Sequence, residues 1–246
     1  MEKQEQKKSW WSDIKGLLLA VLAALAIRSV WFEPYNIPSS SMVPTLLVGD
    51  YLIVSKYNYG YSKHSFPFSI PLIPHGRLFG HAPERGDIVV FKVPTNNKVD
   101  YIKRVIGLPG DRIQMQGGRL YINDSLVPRE KISEEDWVVE QEGSVHYTKY
   151  IETLPNGVKH FIYERSDTMM QDDTEVFTVP EDYYFMMGDN RDNSQDSRFF
   201  GFVPAENLEG KARFIFYSNN GSGDFWQFWK WKDSLRLKRF FRGLYQ

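Results

Sequence analysis

The sequence predicts a mostly β protein: one N-terminal apolar helix, then a domain of twisted antiparallel sheets or a partly closed barrel with a smaller β-domain inserted in it. Three observations carry that reading. From Asp50 onward, short β-type runs alternate with turn residues, as in "DYLIVSKYNYG", "GDIVVFKVP", "RLYIND" and "KARFIFYS". Long amphipathic helical patterns are scarce. Ahead of the strands stands "GLLLAVLAALAI", a run of 12 apolar or small residues. At 246 residues the chain can bury one large or two modest cores.

The apolar run is short for a membrane span and has the length of a signal-peptide core. Its flanks change the reading. Trp10 and Trp11 precede it and Trp31 and Phe32 follow it. About 20 helical residues at roughly 1.5 Å each set the two aromatic pairs about 30 Å apart. That matches a hydrocarbon core with an aromatic belt at each face, with Lys15 and Arg28 close enough to reach the headgroups. A transmembrane helix is therefore expected over 12–32, behind a cytosolic stretch 1–11. Lys3, Lys7, Lys8 and Lys15 make the first flank basic, which places the amino terminus in the cytosol and everything after Trp31 outside. Ala24-Leu25-Ala26 has the small-x-small spacing of a cleavage site, but no polar stretch precedes it. A cut there would still leave Ser41 in the mature chain.

Beyond the helix the pattern divides into 33–115, an insertion over 116–178, a return over 179–218, and a basic aromatic tail over 219–246. The insertion is polar, with turn signals such as "QGG" and "LPNG". Residues 57–83, rich in Tyr, Phe, Pro and Gly, form a second inserted loop. The tail reads as helical from about Trp226, either docked on the sheet or lying at a membrane interface, where the 57–83 loop would also touch lipid.

Composition removes several function classes. Without cysteine there is no disulfide, thiolate metal site or cysteine nucleophile. A net charge of −1 gives no reason to expect a nucleic-acid partner. His64, His75, His81, His146 and His160 are scattered without metal-ligand spacing and read as surface histidines, so neither a metal nor another cofactor is expected.

Three stretches remain that can carry chemistry. "IPSSSMVPTL" (37–46) sets three serines between two prolines. Alone it reads as a surface turn, yet the prolines would lower the cost of ordering a reactive geometry. Extended alternation puts Ser39 and Ser41 on one face, so one hydroxyl could attack while the other donates to an oxyanion. No histidine stands in a recognisable catalytic context, which leaves lysine as the base, provided that burial lowers its pKa. Lys103 in "DYIKRVIGLPGD" shares a strand face with Tyr101 and Val105; the competing reading is a solvent-facing lysine on an edge strand. "GDNRDNSQDSR" (188–198) reads either as an Asx-rich turn or as a polar network able to hold a buried amine.

Taken together and in this order behind an apolar segment, these stretches, with "GDYLIVSKYNYG" (49–60) and "RGDIVVF" (85–91), resemble bacterial type I signal peptidase, the leader peptidase family of membrane-bound Ser-Lys proteases. The resemblance covers roughly 30–115 and 180–216. It implies an endopeptidase that removes signal peptides from exported preproteins after A-x-A sites. The expected location is the inner membrane, single-pass, with the catalytic domain on the periplasmic side near the secretion translocon. It implies Ser41 as nucleophile and Lys103 as general base, with the Ser41 N–H and the Ser39 hydroxyl as oxyanion hole. Ser194 would orient the amine, and Asp189, Arg104, Asp196 and Arg198 would form bracing ion pairs. Ile37, Met42, Leu46, Tyr101 and Ile102 would line the P1 pocket, with Tyr35 near P3. Residues 116–178 would be the family's variable second β-domain. Ser40 departs from the glycine of many relatives, and the disulfide of some is absent. Two other readings stay open: a specialised Ser-Lys maturation peptidase, and a membrane-tethered peptide-binding module without turnover.

Overall fold

The apolar run winds into α1 (Trp10–Val30) in the computed structural model, which describes residues 10–66, 73, 76–139, 143–222 and 227–245. Lys3, Lys7, Lys8 and His75 lie outside the described residues, as do Trp226 and much of the 57–83 loop. The helix stops two residues short of the expected end, because Phe32 is already extended and paired with Ser55. Among the described residues no helix is long and apolar enough to cross a membrane. Asp13 and Lys15 near one end of α1 and Arg28 near the other confine its uncharged stretch.

The chain runs through β1 (Phe32–Asn36), β2 (Asp50–Ser55), β3 (Ile88–Val93) and the long β4 (Asn96–Gly107). It then forms β5 (Arg112–Gln116), β6 (Arg119–Ile122), β7 (Ser125–Leu126), β8 (Arg129–Val139), β9 (Gly143–Thr153), β10 (Lys159–Glu164) and β11 (Phe177–Thr178). It closes with β12 (Tyr183–Met187), β13 (Val203–Pro204), β14 (Leu208–Ser218) and β15 (Arg242–Gly243). The main sheet has the order β1-β2-β14-β3-β4-β12-β13, with β15 added to β14. Neighbours in it are antiparallel. The order ends at β1 and β13, so the antiparallel sheet is open and no closed barrel forms among the described residues.

The insertion makes two further sheets, β10-β9-β8 and β11-β5-β6-β7. It begins at Arg112, slightly ahead of the expected boundary at 116. Ile106, Phe185 and Met187 of the main sheet pack with Ile113, Leu120 and Ile122 of the smaller one, all nearly solvent-free. Each such side chain contributes roughly 1.5–3 kcal/mol of burial, which holds the insertion against the end of β4.

The tail is not the expected helix. After short turns at Phe228–Lys230 and a single helical turn over Trp231–Ser234, it runs back along the main sheet to β15. Its arginines find carbonyl and carboxylate partners there: Arg236 donates to Val48 O at 2.9 Å, and Arg239 donates to Thr45 O and Asp50 Oδ1, each at 3.0 Å. Charged hydrogen bonds of this kind outweigh the few tenths of a kcal/mol per residue that helix propensity offers.

Candidate active site

The serine turn connects β1 to β2 and is built around apolar anchors. Ile37 N–H donates to Asp50 O at 2.8 Å, which brings the ends of the turn together. Leu46 N–H donates to Met42 O at 2.8 Å, so the chain coils within the turn and both side chains drop into the core with Leu52, Val54 and Ile215. Thr45 Oγ1 donates to Asp189 Oδ2 at 2.5 Å. These ties fix Ser41, which is buried, with its Oγ 3.4 Å from Ser39 Oγ.

Lys103 reaches this turn from β4. Its Nζ lies 2.6 Å from Ser41 Oγ and 3.1 Å from Ile102 O, and 5.2 Å from the centre of the Tyr101 ring. The first half of β4 is solvent-exposed and the second half buried, and Lys103 falls on the buried side at 3% exposure. The solvent-facing reading of this lysine is thus overturned. Burial pushes its amine down to about 8, against the attraction of Asp196 and Asp189.

The next residue is wired differently. Arg104 donates Nε to Asp189 Oδ1 at 2.8 Å and Nη2 to Asp189 Oδ2 at 2.6 Å, a bidentate pair that is fully buried. Burial alone would raise the Asp189 carboxyl, but Arg104 holds it well below the usual carboxylate range. Asp196 and Arg198 form a second such pair, with Nε–Oδ1 and Nη2–Oδ2 both at 2.9 Å.

The 188–198 loop supplies contacts that sequence reasoning did not single out. Gly188 lets the loop press on the nucleophile: a Cβ there would lie 2.5 Å from Ser41 O and 2.3 Å from Ser194 Oγ. Asn190 N–H donates to Ser41 O at 3.1 Å, and its side chain donates to Ser40 O at 3.2 Å. Asn193 Nδ2 donates to Ser40 Oγ at 2.7 Å, so Ser40 carries a side-chain bond of its own. The only sequence signal for these residues was the density of amides in "GDNRDNS". Ser194 is buried beside Gly188, where its hydroxyl helps hold the Asp196 carboxyl low, and among the described residues it does not bond the amine as expected.

A cleft of about 640 Å³ opens over the serines, lined by Tyr35, Ile37, Tyr101, Ile102 and Val90 among others. Met42 and Leu46, expected in its wall, stand behind it as core, because the coil of the turn aims both inward. Tyr35 is fixed at the cleft edge by its hydroxyl, which donates to Glu209 at 2.5 Å.

The histidines also depart from expectation. His64 and His160 are buried, while His81 and His146 are exposed. His160 lies 3.4 Å from Asp189 and 3.7 Å from Glu152, and burial lowers its pKa although both carboxylates favour the charged ring. Pairing of β10 with β9 buries it, which no local pattern announced.

The family model described as signal peptidase, peptidase S26, matches residues 10–217. Signal peptidase I of Rickettsia akari (strain Hartford) is 42% identical over 259 aligned positions, covering 97% of this chain and 93% of that protein. Signal peptidase I of Rickettsia canadensis (strain McKiel) is 43% identical over 261 positions, covering 99% and 97%. A crystal structure of a signal peptidase I from Enterococcus faecalis V583 is 31% identical and covers 53% of this chain and 97% of its own, with a TM-score of 0.31.

Proposed function

Because this chain belongs to the signal peptidase S26 family of serine endopeptidases, which remove signal peptides, we propose that Ser41 and Lys103 carry out the cleavage as a nucleophile–base pair. The observation that carries this assignment is the 2.6 Å approach of a buried amine, bonded to no carboxylate, to the Ser41 hydroxyl. Neutral Lys103 accepts the Ser41 proton as Oγ attacks the carbonyl of the residue before the scissile bond. The Ser41 N–H, which donates to no backbone carbonyl among the described residues, and the Ser39 hydroxyl receive the developing oxyanion. The resulting ammonium returns its proton to the leaving amine, the mature protein departs, and Lys103 then activates the water that hydrolyses the acyl ester. Ser194 orients the amine once its side chain turns toward it.

Ile37, Ile102 and Val90 give the cleft apolar walls close to the nucleophile, which supports selection for small side chains at P1. Tyr35, at the edge of the same cleft, is assigned to P3, which together yields the A-x-A preference.

The substrate is delivered from a membrane. Leu17, Leu18, Leu19, Leu22 and Ile27 of α1 are all exposed, an arrangement that water penalises and lipid does not. We assign α1 as the single anchor, with Lys15 and Arg28 extending toward the headgroups because the uncharged stretch between them is short. The catalytic sheet then lies on the extracytoplasmic face, close to where preproteins emerge. Anchoring enzyme and substrate in one bilayer raises effective concentration without new contacts.

Cleavage of a precursor with an A-x-A site by the detergent-solubilised protein tests the assignment. A single cut after the final Ala, absent from folded Ser41→Ala and Lys103→Ala, is expected. Cleavage by Lys103→Ala would transfer the base role to another residue, and binding without cutting would favour the peptide-binding module.

A further inference from the structure

On the far side of the 188–198 loop from the cleft, three carboxylates converge from three segments. Glu164 ends β10, Asp172 lies in the turns before β11, and Asp192 belongs to the loop that carries Asn193 and Ser194. Each offers an oxygen within 4.8 Å of the others. Glu164 and Asp172 are 2% and 0% exposed, and Glu164 Oε2 and Asp172 Oδ1 have no hydrogen-bond partner among the described residues. A buried carboxylate oxygen without a partner is costly, and two in one cluster call for something between them.

The neighbouring cations do not supply it. Arg191 pairs with Glu152 through Nη2, its Nε having no hydrogen-bond partner among the described residues, and Arg198 pairs with Asp196. Arg129 spends its closer bond, 2.7 Å, on Asp167 and reaches Glu164 Oε1 only at 3.3 Å. Backbone N–H groups take up other oxygens: Met169 donates to Asp172 Oδ2 at 2.5 Å, and Arg165 donates to Asp192 Oδ2 at 2.6 Å. Among the described residues, Glu164 of the three carboxylates has an ion pair, the 3.3 Å contact with Arg129.

We propose that Glu164, Asp172 and Asp192 form a divalent-cation site that favours calcium, tying the inserted β-region to the loop behind Ser194. All three are hard oxygen donors, as calcium prefers. Three carboxylates drawn from three segments make a protein-built oxygen set of the kind calcium accepts, whereas magnesium keeps several of its waters and takes only one or two carboxylates. A small cleft lined by Met169, Arg191, Asp192 and Asn193 leads to the loop from solvent. The proton is the competing occupant. Burial holds Glu164 well above the usual carboxylate range and raises Asp172 as well, so the two could instead share a hydrogen.

The test is calorimetric titration of the EDTA-stripped, detergent-solubilised full chain with calcium chloride, and with magnesium chloride in parallel. Saturable uptake of one Ca²⁺ per chain is expected, with Mg²⁺ weaker. Because ligands must lose protons to bind metal, affinity should fall at least about tenfold from pH 8 to pH 6. Asp172→Asn should weaken it at least about tenfold; Asp192→Asn, at the half-buried member of the set, serves if the first variant melts without cooperativity. No saturable uptake by the wild-type chain at millimolar calcium would overturn the proposal in favour of a shared proton. Wild-type affinity retained in both variants would overturn it too, since the ion would then be bound elsewhere.

Discussion

On β4, Lys103 faces the cleft and Arg104 faces the joint between the main sheet and the insertion, and the two are about equally buried, at 3% and 2% exposure. Their surroundings are otherwise opposite. Arg104 meets the Asp189 carboxylate in a bidentate pair and stays charged, with its pKa raised although burial works against it. Lys103 meets a hydroxyl, a carbonyl and an aromatic ring, and burial pushes it down to about 8. The same strand and the same depth thus produce a structural cation and a titratable base. Burial sets the cost of charge, and the partner decides whether that cost is offset.

The comparison breaks most visibly in turnover. Ser41→Ala and Lys103→Met are expected to lower cleavage by about 10⁴-fold or more, measured under single-turnover conditions, because they remove the nucleophile or its base. Lys103→Met should also raise the melting temperature. The folded lysine, near 8, lies below the ordinary value of 10.5. The unfolded chain therefore holds the proton more tightly, so stability rises with pH between those values, and below pH 8 the full penalty of about 3 kcal/mol applies. A Met at 103 escapes it.

Asp189→Asn should do the opposite. It leaves Arg104 buried without its counter-charge and is expected to cost about 3–5 kcal/mol in denaturant unfolding. If Lys103→Met and Asp189→Asn moved stability in the same direction, the contrast drawn on β4 would be wrong.

Ser39→Ala should reduce kcat by about 10²-fold with little change in KM, as loss of one oxyanion donor does. The pH profile sharpens the assignment further: kcat/KM should fall about tenfold per unit below pH 8 as the amine takes up a proton, and level off above it. A profile flat from pH 8 to pH 5 would exclude Lys103 as the base. Smallest is Ser40→Gly, which removes the Asn193 bond and should cost about 1 kcal/mol, read as a few-fold loss in kcat.

Legibility in the sequence followed the range of the interaction. The strands that flank the site were readable because alternation and turn residues are local: "DYLIV", "IVVF" and "YIKRVIG" all lie in strands. Met42 and Leu46 were placed in the cleft wall by the resemblance alone, whereas the Leu46 to Met42 hydrogen bond coils that stretch and turns both side chains into the core. The tail was misread for the complementary reason: its apolar and basic residues suit a helix, but Arg236 and Arg239 find partners on the β1–β2 turn that lie far away in sequence. His160 looked like a surface residue because nothing near it in the chain reveals that β9 and the 188–198 loop will cover it.

By itself, the sequence determined the inventory: an apolar helix, a β-rich body, a serine turn stiffened by prolines, one lysine on an apolar strand face, and a dense polar loop, in an order that identifies the family. Tertiary structure decided which of these meet. Ser41, Lys103 and Asn190 are separated by long stretches of chain and come together only because β4 lies between β3 and β12, with the polar loop following β12. A pKa depends on the water and charges within a few ångströms of a group, which only the folded chain specifies. The acidity of Lys103 is for that reason a property of the fold, although the lysine itself is plain in the sequence.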